Sequence, residues 1–345
     1  MGENGSVIER PILMKTIKLT DRQRLILRVA EFHYQEGVQK IAAICGLKPQ
    51  AVRYELHQLE ELKVIVPLRF TNEASLGYYL FHVHLSVRPG HVDKLVTVLK
   101  ENSRVGFLGV NGGERSLGVT FLSRRPEDLF TSMDAAGARA KVPFSQVAWS
   151  IEGELYHFGA KFLWPEAIPG AHVIQSWGRP RVEIDAVDAR ILQLLKRGLS
   201  QNTALIAKRL GLPASTVQYR LKGLEKNGVI LPMSAGINAA LLGYSEFEVL
   251  LRTSLVNPAE HQRLVKFCQD HPAIRILIRS FGDWEYKFTA QLERTADIFA
   301  LEDEVHRLFP ATVQSTTIVP RRKIIKFGDF PVEDFEEARA GKRGG

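Results

Sequence analysis

The stretch ASTVQYRLKGLEK at 214–226 carries side chains that could recognise a polyanion. At helical spacing, Val217, Leu221 and Leu224 share one face. The opposite face and its flanks present Ser215, Thr216, Gln218, Tyr219, Arg220, Lys222 and Lys226. Hydroxyl, amide and cationic groups of this kind contact phosphates and base edges in the major groove of DNA. The stretch predicts a DNA-reading helix, with the solvated face of a small helical bundle as the alternative.

Two shorter helical patterns precede this stretch, one around Ile191 and one around Ile206. Gly211 is placed to end the second helix in a left-handed conformation, and Pro213 to start the third with a fixed φ. Three short helices with this spacing predict a helix-turn-helix.

The chain contains a second copy of this pattern. Residues 19–65 align without a gap on 184–230, with thirteen identities in forty-seven positions. The first copy carries seven Lys/Arg against six Asp/Glu, and the second eight against three. The second copy is therefore predicted to be the better DNA binder. The candidate contacts of the first copy are Gln50, Arg53, Tyr54 and His57, and Glu55 is expected to face phosphate; a purely structural first copy remains open.

After each helical copy the periodicity changes towards two, and the elements follow the order β-α-β-β-α-β of a ferredoxin-like unit. The sequence therefore predicts an α+β protein with two tandem repeats, each a winged-helix-like helix-turn-helix followed by a ferredoxin-like domain. Pairing of the two sheets within one chain or between chains is left open. The expected boundaries are a tail at 1–18, helix-turn-helix domains at 19–66 and 184–231, ferredoxin-like domains at 76–156 and 242–320, a linker at 157–183 and a C-terminal arm and tail at 321–345.

The composition is that of a globular chain of 345 residues with a net charge of +8. A basic balance favours nucleic acid as partner, although an anionic membrane surface also fits. Cys45 and Cys268 are expected to be free, buried thiols. The N-terminal stretch lacks a signal-peptide h-region, and no apolar run reaches the roughly 18 residues of a membrane span. We therefore expect a cytoplasmic protein.

The order and spacing of these features resemble the leucine-responsive (Lrp/AsnC, feast/famine) family of transcription regulators, in a tandem form that covers nearly the whole chain. The segments that carry the resemblance are DAVDARILQLL, IAKRLGLPASTVQYRLKGLEKNGVI, LGY and SFGDWEYKF, all in the second half. The resemblance implies binding of double-stranded operator DNA by a homodimer or higher homo-oligomer, with an amino acid or related metabolite as effector.

On this resemblance, Ser215, Thr216, Gln218, Tyr219, Arg220 and Lys222 would meet DNA, and Gly282, Asp283 and Glu285 would lie near the effector. A glycine lets backbone N–H groups approach a ligand carboxylate, and a nearby carboxylate holds an ammonium. A plain hairpin turn at Gly282-Asp283 is the alternative. The first half has Gly112-Gly113 at this place, which puts an equivalent pocket there in doubt.

An enzymatic alternative stays open, because siroheme decarboxylases look like paired Lrp-type chains. An acidic tetrapyrrole would need cationic and imidazole groups. The candidates are His82, His84, Arg115, His157, Arg275 and Arg279. The usual motifs of that family are not clear in this sequence, and neither a phosphate loop nor Cys/His metal spacing nor a serine elbow is present. We therefore predict a non-enzymatic regulator with no catalytic residue, cofactor or metal.

Both halves end in similar strings, HFGAKFLWP (157–165) and IKFGDFP (325–331), which suggest an arm that packs an aromatic residue onto a sheet. The basic segment PRRKIIK (320–326) is expected to form a solvated sheet edge rather than a DNA contact.

Overall fold

The computed structural model describes residues 16–164, 166, 172–175, 181–199, 202–254 and 256–336. In chain order the elements are α1 (Asp21–His33), α2 (Val38–Cys45), α3 (Pro49–Glu61), β1 (Ile65–Leu68), β2 (Tyr79–Val87), α4 (Val92–Glu101), β3 (Val105–Asn111), β4 (Leu117–Ser123), α5 (Pro126–Ala140), β5 (Phe144–His157), β6 (His172–Gln175), α6 (Ala186–Leu194), α7 (Thr203–Leu210), α8 (Ala214–Lys226), β7 (Ser234–Ile237), β8 (Ser245–Thr253), α9 (Pro258–Asp270), β9 (Ile274–Gly282), β10 (Tyr286–Leu292), α10 (Asp297–Leu308) and β11 (Val313–Phe327). None of the helices in this part of the chain has the length and apolar character that a membrane crossing requires.

Each helix-turn-helix, called head 1 (α1–α3) and head 2 (α6–α8), is delimited by local signals. Thr20 caps α1 in a capping box with Gln23, and Asp185 caps α6 in the same way with Asp188. The second helix of each head ends at a left-handed glycine, Gly46 or Gly211, with φ of 64° in both. The predicted role of Gly211 is therefore confirmed.

The two predicted ferredoxin-like units are present: unit 1 consists of β2, α4, β3, β4, α5 and β5, and unit 2 of β8, α9, β9, β10, α10 and β11. The two sheets join edge to edge within the one chain, because β3 pairs with β11 and β5 pairs with β9. The strand order β2-β4-β3-β11-β8-β10-β9-β5 then closes through the pairing of β2 with β5. The result is an eight-stranded antiparallel barrel, in which both sheet edges are removed.

Two long strands make this closure. The first part of β5 pairs with β2 of its own unit, and its last part pairs with β9, from Ser150↔Gly282 to His157↔Ile276. Likewise β11 pairs first with β8 and then with β3, ending at Phe327↔Phe107. The expectation that 320–326 forms a solvated edge is therefore wrong, since this segment supplies the strand that joins unit 2 to unit 1.

The helices of each unit cover the outer face of the barrel. Apolar side chains of β2 and β4 pack beneath α4 and α5, and those of β8 and β10 pack beneath α9 and α10. Because strand residues alternate between faces, the remaining positions point into the barrel, and several of them are charged. The barrel interior, enclosed by both units, therefore contains charged side chains among apolar ones.

Each head packs against the other half of the chain. The head 1 core includes Ala235, Ile237 and Leu242 from the second half, and the head 2 core includes Leu76 and Tyr78 from the first. Antiparallel pairing of β1 with β7 adds a two-stranded link between the segments that follow the heads. The halves are thus interleaved.

The two similar strings at the ends of the units pack mainly against heads. Phe162 lies 4.3 Å from Tyr244, between ring centroids, at the head 1 core. Phe330 is fully buried in the head 2 core. The expected packing of an aromatic residue onto the sheet is met by Phe158, which shares a core with residues of β8, β9 and β10. Both cysteines are free thiols, as expected, although Cys45 is only half-buried.

Candidate nucleic-acid interface

The third helix of head 2, α8, presents the predicted reading face to solvent. Val217 and Leu224 are buried on the inner side. Tyr219 is 80% exposed, and Ser215, Gln218 and Lys222 are also exposed, with Thr216 half-buried. Burying one face fixes the orientation of the helix, so the phenol, hydroxyl, amide and ammonium groups point outward together. Such a face can donate hydrogen bonds to phosphates and base edges.

Arg220 has a different environment from its neighbours. Its Nη1 donates to Asp185 Oδ1 at 2.8 Å and to Asp188 Oδ1 at 3.0 Å. Burial opposes the charge, but the two carboxylates together outweigh it and raise the pKa of the guanidinium. Arg220 thus ties the reading helix to the capped start of α6 and sets its angle in the head.

In head 1, α3 presents the equivalent surface. Gln50, Arg53 and His57 are exposed, and Tyr54 is 61% exposed. Gln58 Nε2 donates to the Tyr54 hydroxyl at 2.6 Å, and His57 Nε2 lies 3.7 Å from a carboxylate oxygen of Glu61. This face carries fewer groups able to engage phosphate than α8 does.

The expectation that Glu55 faces phosphate is wrong. Its carboxylate is largely buried, accepts a hydrogen bond from Gln23 Nε2 at 3.0 Å and lies 3.6 Å from Arg22 Nη1. Glu55 occupies the repeat position of Arg220, and Gln23 that of Asp188. A contact at the same two positions therefore joins the third helix to the first in both heads, although the partner of Glu55 at this position is a neutral amide and that of Arg220 is a carboxylate.

A buried charge cluster fastens head 1 to the barrel. Glu31 of α1 is 1% exposed and accepts a hydrogen bond from Ala160 N–H at 2.6 Å. Its Oε1 lies 3.0 Å from Arg275 Nη2 and 3.2 Å from His157 Nε2. Burial alone would raise the pKa of Glu31, but the Arg275 guanidinium and the His157 hydrogen bond outweigh it and lower that pKa to about 2. The carboxylate is therefore ionised and joins α1 to β9 and β5.

Head 2 has a residue of opposite charge, Lys196, at the repeat position of Glu31, and this residue also holds its head in place. Lys196 follows α6 and donates to Thr71 Oγ1 at 2.7 Å and to Glu73. Sequence reasoning missed Glu31 and Lys196. The available signal was a charged residue at one repeat position on an otherwise apolar helical segment, in both copies.

The predicted effector turn lies at the seam between the units. Trp149 N–H donates to Asp283 Oδ2 at 2.8 Å, and Asp283 N–H donates to Trp149 O at 2.9 Å. Thr253 N–H donates to Glu285 Oε2 at 2.7 Å. In the first half, Gly112 N–H donates to Pro320 O at 2.8 Å, so the corresponding turn also contacts the strand of the other unit.

Three of the residues proposed for a decarboxylase, His82, His157 and Arg275, line one cavity, and the others lie outside its lining. His82 and His84 lie inside the barrel, whereas His157 and Arg275 belong to the Glu31 cluster. Arg279 is partly exposed, with Nη1 3.6 Å from a carboxylate oxygen of Glu154. A cavity of about 250 Å³ runs between His82 and the Glu31 cluster.

Comparison with known proteins supports the identification of head 2. The family of winged helix-turn-helix DNA-binding domains matches residues 184–230. A protein of Pyrococcus horikoshii named as an uncharacterized HTH-type transcriptional regulator is 45% identical over 138 residues, which span 39% of this chain and 91% of the relative.

Two solved structures align with part or nearly all of this chain. The siroheme decarboxylase NirDL aligns with a TM-score of 0.56 at 11% identity, over 94% of this chain and 100% of that chain. An AsnC family transcriptional regulator from Agrobacterium tumefaciens aligns with a TM-score of 0.38 at 20% identity, over 44% of this chain and 99% of that chain. The likeness to NirDL at this identity concerns the tandem fold alone.

Proposed function

Because the chain belongs to the family of HTH-type transcriptional regulators, we propose that it is a sequence-specific DNA-binding regulator of the Lrp/AsnC type that reads its operator through α8 of head 2. The observation that carries the proposal is the exposed face of α8, on the segment that matches a DNA-binding family. Head 1 is proposed as a weaker contact.

Charge supports the division of roles between the heads. Residues 184–230 have a net charge of +5, and residues 19–65 a net charge of +1. Exposed cations release counterions from DNA when they meet phosphates, which makes affinity depend steeply on salt. Assembly into a homodimer or higher homo-oligomer stays a prediction, and it would use surfaces other than the sheet edges closed within the barrel.

The repeat supplies a matched experiment. Tyr219 and Lys222 of head 2 correspond to Tyr54 and His57 of head 1. We expect Tyr219→Ala/Lys222→Ala to weaken operator binding about 10- to 100-fold and to reduce the slope of log K against log salt by about one, since one phosphate contact is lost. Fluorescence anisotropy over a salt series measures both quantities.

The control for this experiment is Tyr54→Ala/His57→Ala, for which we expect a smaller loss of affinity. Equal losses in both double variants would assign reading to the two heads alike. An unchanged affinity and slope in the head 2 variant would remove α8 from the interface.

Control by an amino acid or related metabolite is the finer part of the proposal, with Gly282, Asp283 and Glu285 as the predicted site. The position of this site supports the proposal, because a ligand bound at this turn would act on the seam between the units. Asp283→Ala is expected to abolish a ligand-induced rise of the thermal midpoint, measured in a screen of amino acids, with DNA affinity in the absence of ligand nearly unchanged. A full thermal shift in the variant would place the ligand elsewhere.

The siroheme decarboxylase alternative has weaker support. Arg275 is paired with Glu31, and Lys287 and Arg321 inside the barrel are paired with Glu152 and Glu248. These cations are therefore neutralised and not available in the free state for the carboxylates of a tetrapyrrole. The cavity of about 250 Å³ is also below the roughly 300–1,000 Å³ usual for pockets that hold drug-sized ligands.

A further inference from the structure

Two histidines and one glutamate meet inside the barrel, away from the DNA-reading helices. His82 and His84 are two residues apart on β2, so both imidazoles point to the same, interior face of the strand. Glu248 of β8 approaches from unit 2. His82 Nε2 lies 3.9 Å from Glu248 Oε1, and His84 Nε2 lies 3.8 Å from Glu248 Oε2. All three side chains are at most 5% exposed.

Several polar atoms of this cluster have no hydrogen-bond partner. Within the part of the chain that the structure describes, these are His82 Nε2, both ring nitrogens of His84 and Glu248 Oε2. The remaining His82 nitrogen, Nδ1, lies 2.8 Å from Thr120 Oγ1, which orients the ring with Nε2 towards Glu248. Unpaired buried polar atoms are costly, so their convergence from two strands points to a ligand that pairs with them.

The surrounding charges leave these atoms able to bind a cation. A neutral imidazole keeps a lone pair for a ligand bond, and neither imidazole is more than 1% exposed. Lys287 Nζ is held 2.8 Å from Glu152 Oε1, and Arg321 pairs with Glu248 Oε1. Glu248 Oε2 thus remains for a further cation.

We propose that the barrel interior binds one divalent transition-metal ion of the Zn²⁺ class through His82 Nε2, His84 Nε2 and Glu248 Oε2. Two imidazoles and a carboxylate are a donor set typical of such ions. Tetrahedral ligands at about 2.0–2.1 Å from zinc are separated by about 3.4 Å. His84 Nε2 lies 3.8 Å from Glu248 Oε2, and one ligand atom from each of the three residues lies within 4.8 Å of the others, so the side chains would have to draw together around the ion. The ion would join unit 1 to unit 2 across the interior.

The site goes beyond the proposed DNA binding because its ligands touch neither head. Its fourth coordination position would face the cavity, since His82 and Glu248 both line it. The same cavity is lined by Lys196 and Arg275, which fasten the two heads. A water or small anion on the ion would therefore share one compartment with both head anchors.

Calorimetric titration of the full, chelator-treated chain with Zn²⁺ tests the proposal. We expect one ion per chain, a higher thermal midpoint with zinc, and a loss of affinity of at least about 100-fold in His84→Gln and in Glu248→Gln. The control is His57→Gln, whose exposed imidazole should leave zinc binding unchanged. Failure of the wild-type chain to bind zinc would overturn the proposal, as would unchanged binding in both interior variants.

A second measurement does not depend on the folding of the interior variants. X-ray absorption spectroscopy of the wild-type chain with one equivalent of Zn²⁺ should show two imidazoles, oxygen ligands and no sulfur. A spectrum with sulfur, or with fewer than two imidazoles, would place the ion elsewhere and refute the site.

Discussion

Replacing Glu31 by alanine is expected to lower the free energy of unfolding by about 3–5 kcal/mol, because removing one partner of a buried ion pair leaves the other charge uncompensated. Arg275 would lose its carboxylate partner at 3.0 Å, and Arg28 its partner at 3.7 Å. The Ala160 N–H would lose its acceptor as well. The loss should detach α1 from the barrel, and denaturant unfolding followed by circular dichroism measures it.

A surface glutamate of the same head serves as control. Glu36 is half-exposed and pairs with His33 three residues earlier, so Glu36→Ala should change the free energy of unfolding far less than Glu31→Ala does. If Glu31→Ala were no more destabilising than Glu36→Ala, the Glu31 cluster would not be what fastens head 1.

The same carboxylate predicts a pH dependence. Its pKa falls from the ordinary value of 4.5 to about 2 in the folded chain. A depressed folded pKa means that the stabilisation is fully present above about pH 4.5 and is lost as the pH falls towards about 2. Between these values the wild-type chain should lose stability more steeply than Glu31→Ala, as measured by denaturant unfolding at each pH. If the free energy of unfolding changed with pH in parallel in the two chains, that result would contradict an ionised Glu31 in the folded state.

Gly282→Ala is expected to destabilise the chain by about 2–5 kcal/mol, from backbone strain together with steric overlap. Gly282 has a φ of 149°, where side chains are disfavoured, and a Cβ would lie 2.5 Å from Trp149 O and 2.8 Å from Ser150 Cα. Those atoms belong to the other unit, so the strands β9 and β5 would have to separate. Thermal unfolding of the variant measures the effect.

The turn of unit 1 offers the matched control. Gly113 has a φ of 74°, and a Cβ at this position would meet no atom within 4 Å, so Gly113→Ala should cost only the strain of about 1–2 kcal/mol. If the Gly282→Ala chain were as stable as Gly113→Ala, the strands β9 and β5 would be able to separate at this point without loss of stability.

Local and repeated features were predictable from the sequence. The caps at Gly46 and Gly211, the outward face of α8 and the order of strands and helices follow from periodicity and from turn residues, which act over a few positions. The alignment of the two copies also identified both heads. These features depend on neighbours in sequence, so a single sequence was sufficient to predict them.

Closure of the barrel was not predictable, because it depends on long-range pairing. Nothing in the composition of 320–326 shows that the strand leaves β8 and continues along β3, and its basic residues favoured a solvated edge instead. Lys326, for example, is buried and donates to Asn102 O at 2.7 Å. Glu55 was misjudged for a related reason, since helical periodicity gives the direction of a side chain but not the partner that turns it inward. The prediction that Arg220 meets DNA stays a prediction.

The interior histidines show the same limit. Their alternation on β2 was visible, but the third member of the cluster lies in the other half of the chain, where no sequence spacing connects it to them. The expectation of no metal rested on local Cys/His spacing. Only the register of the closed barrel brings Glu248 to His82 and His84.

The central claim, that this chain reads DNA through head 2, is tested most directly by selecting bound fragments from sheared genomic DNA of the source organism. The account predicts a small set of fragments bound at least about 10³-fold more tightly than unrelated DNA, with affinity that falls from about 50 to about 200 mM salt and enrichment that Tyr219→Ala/Lys222→Ala abolishes. Uniform binding to all fragments, or absence of binding together with tight siroheme binding by absorbance, would contradict it.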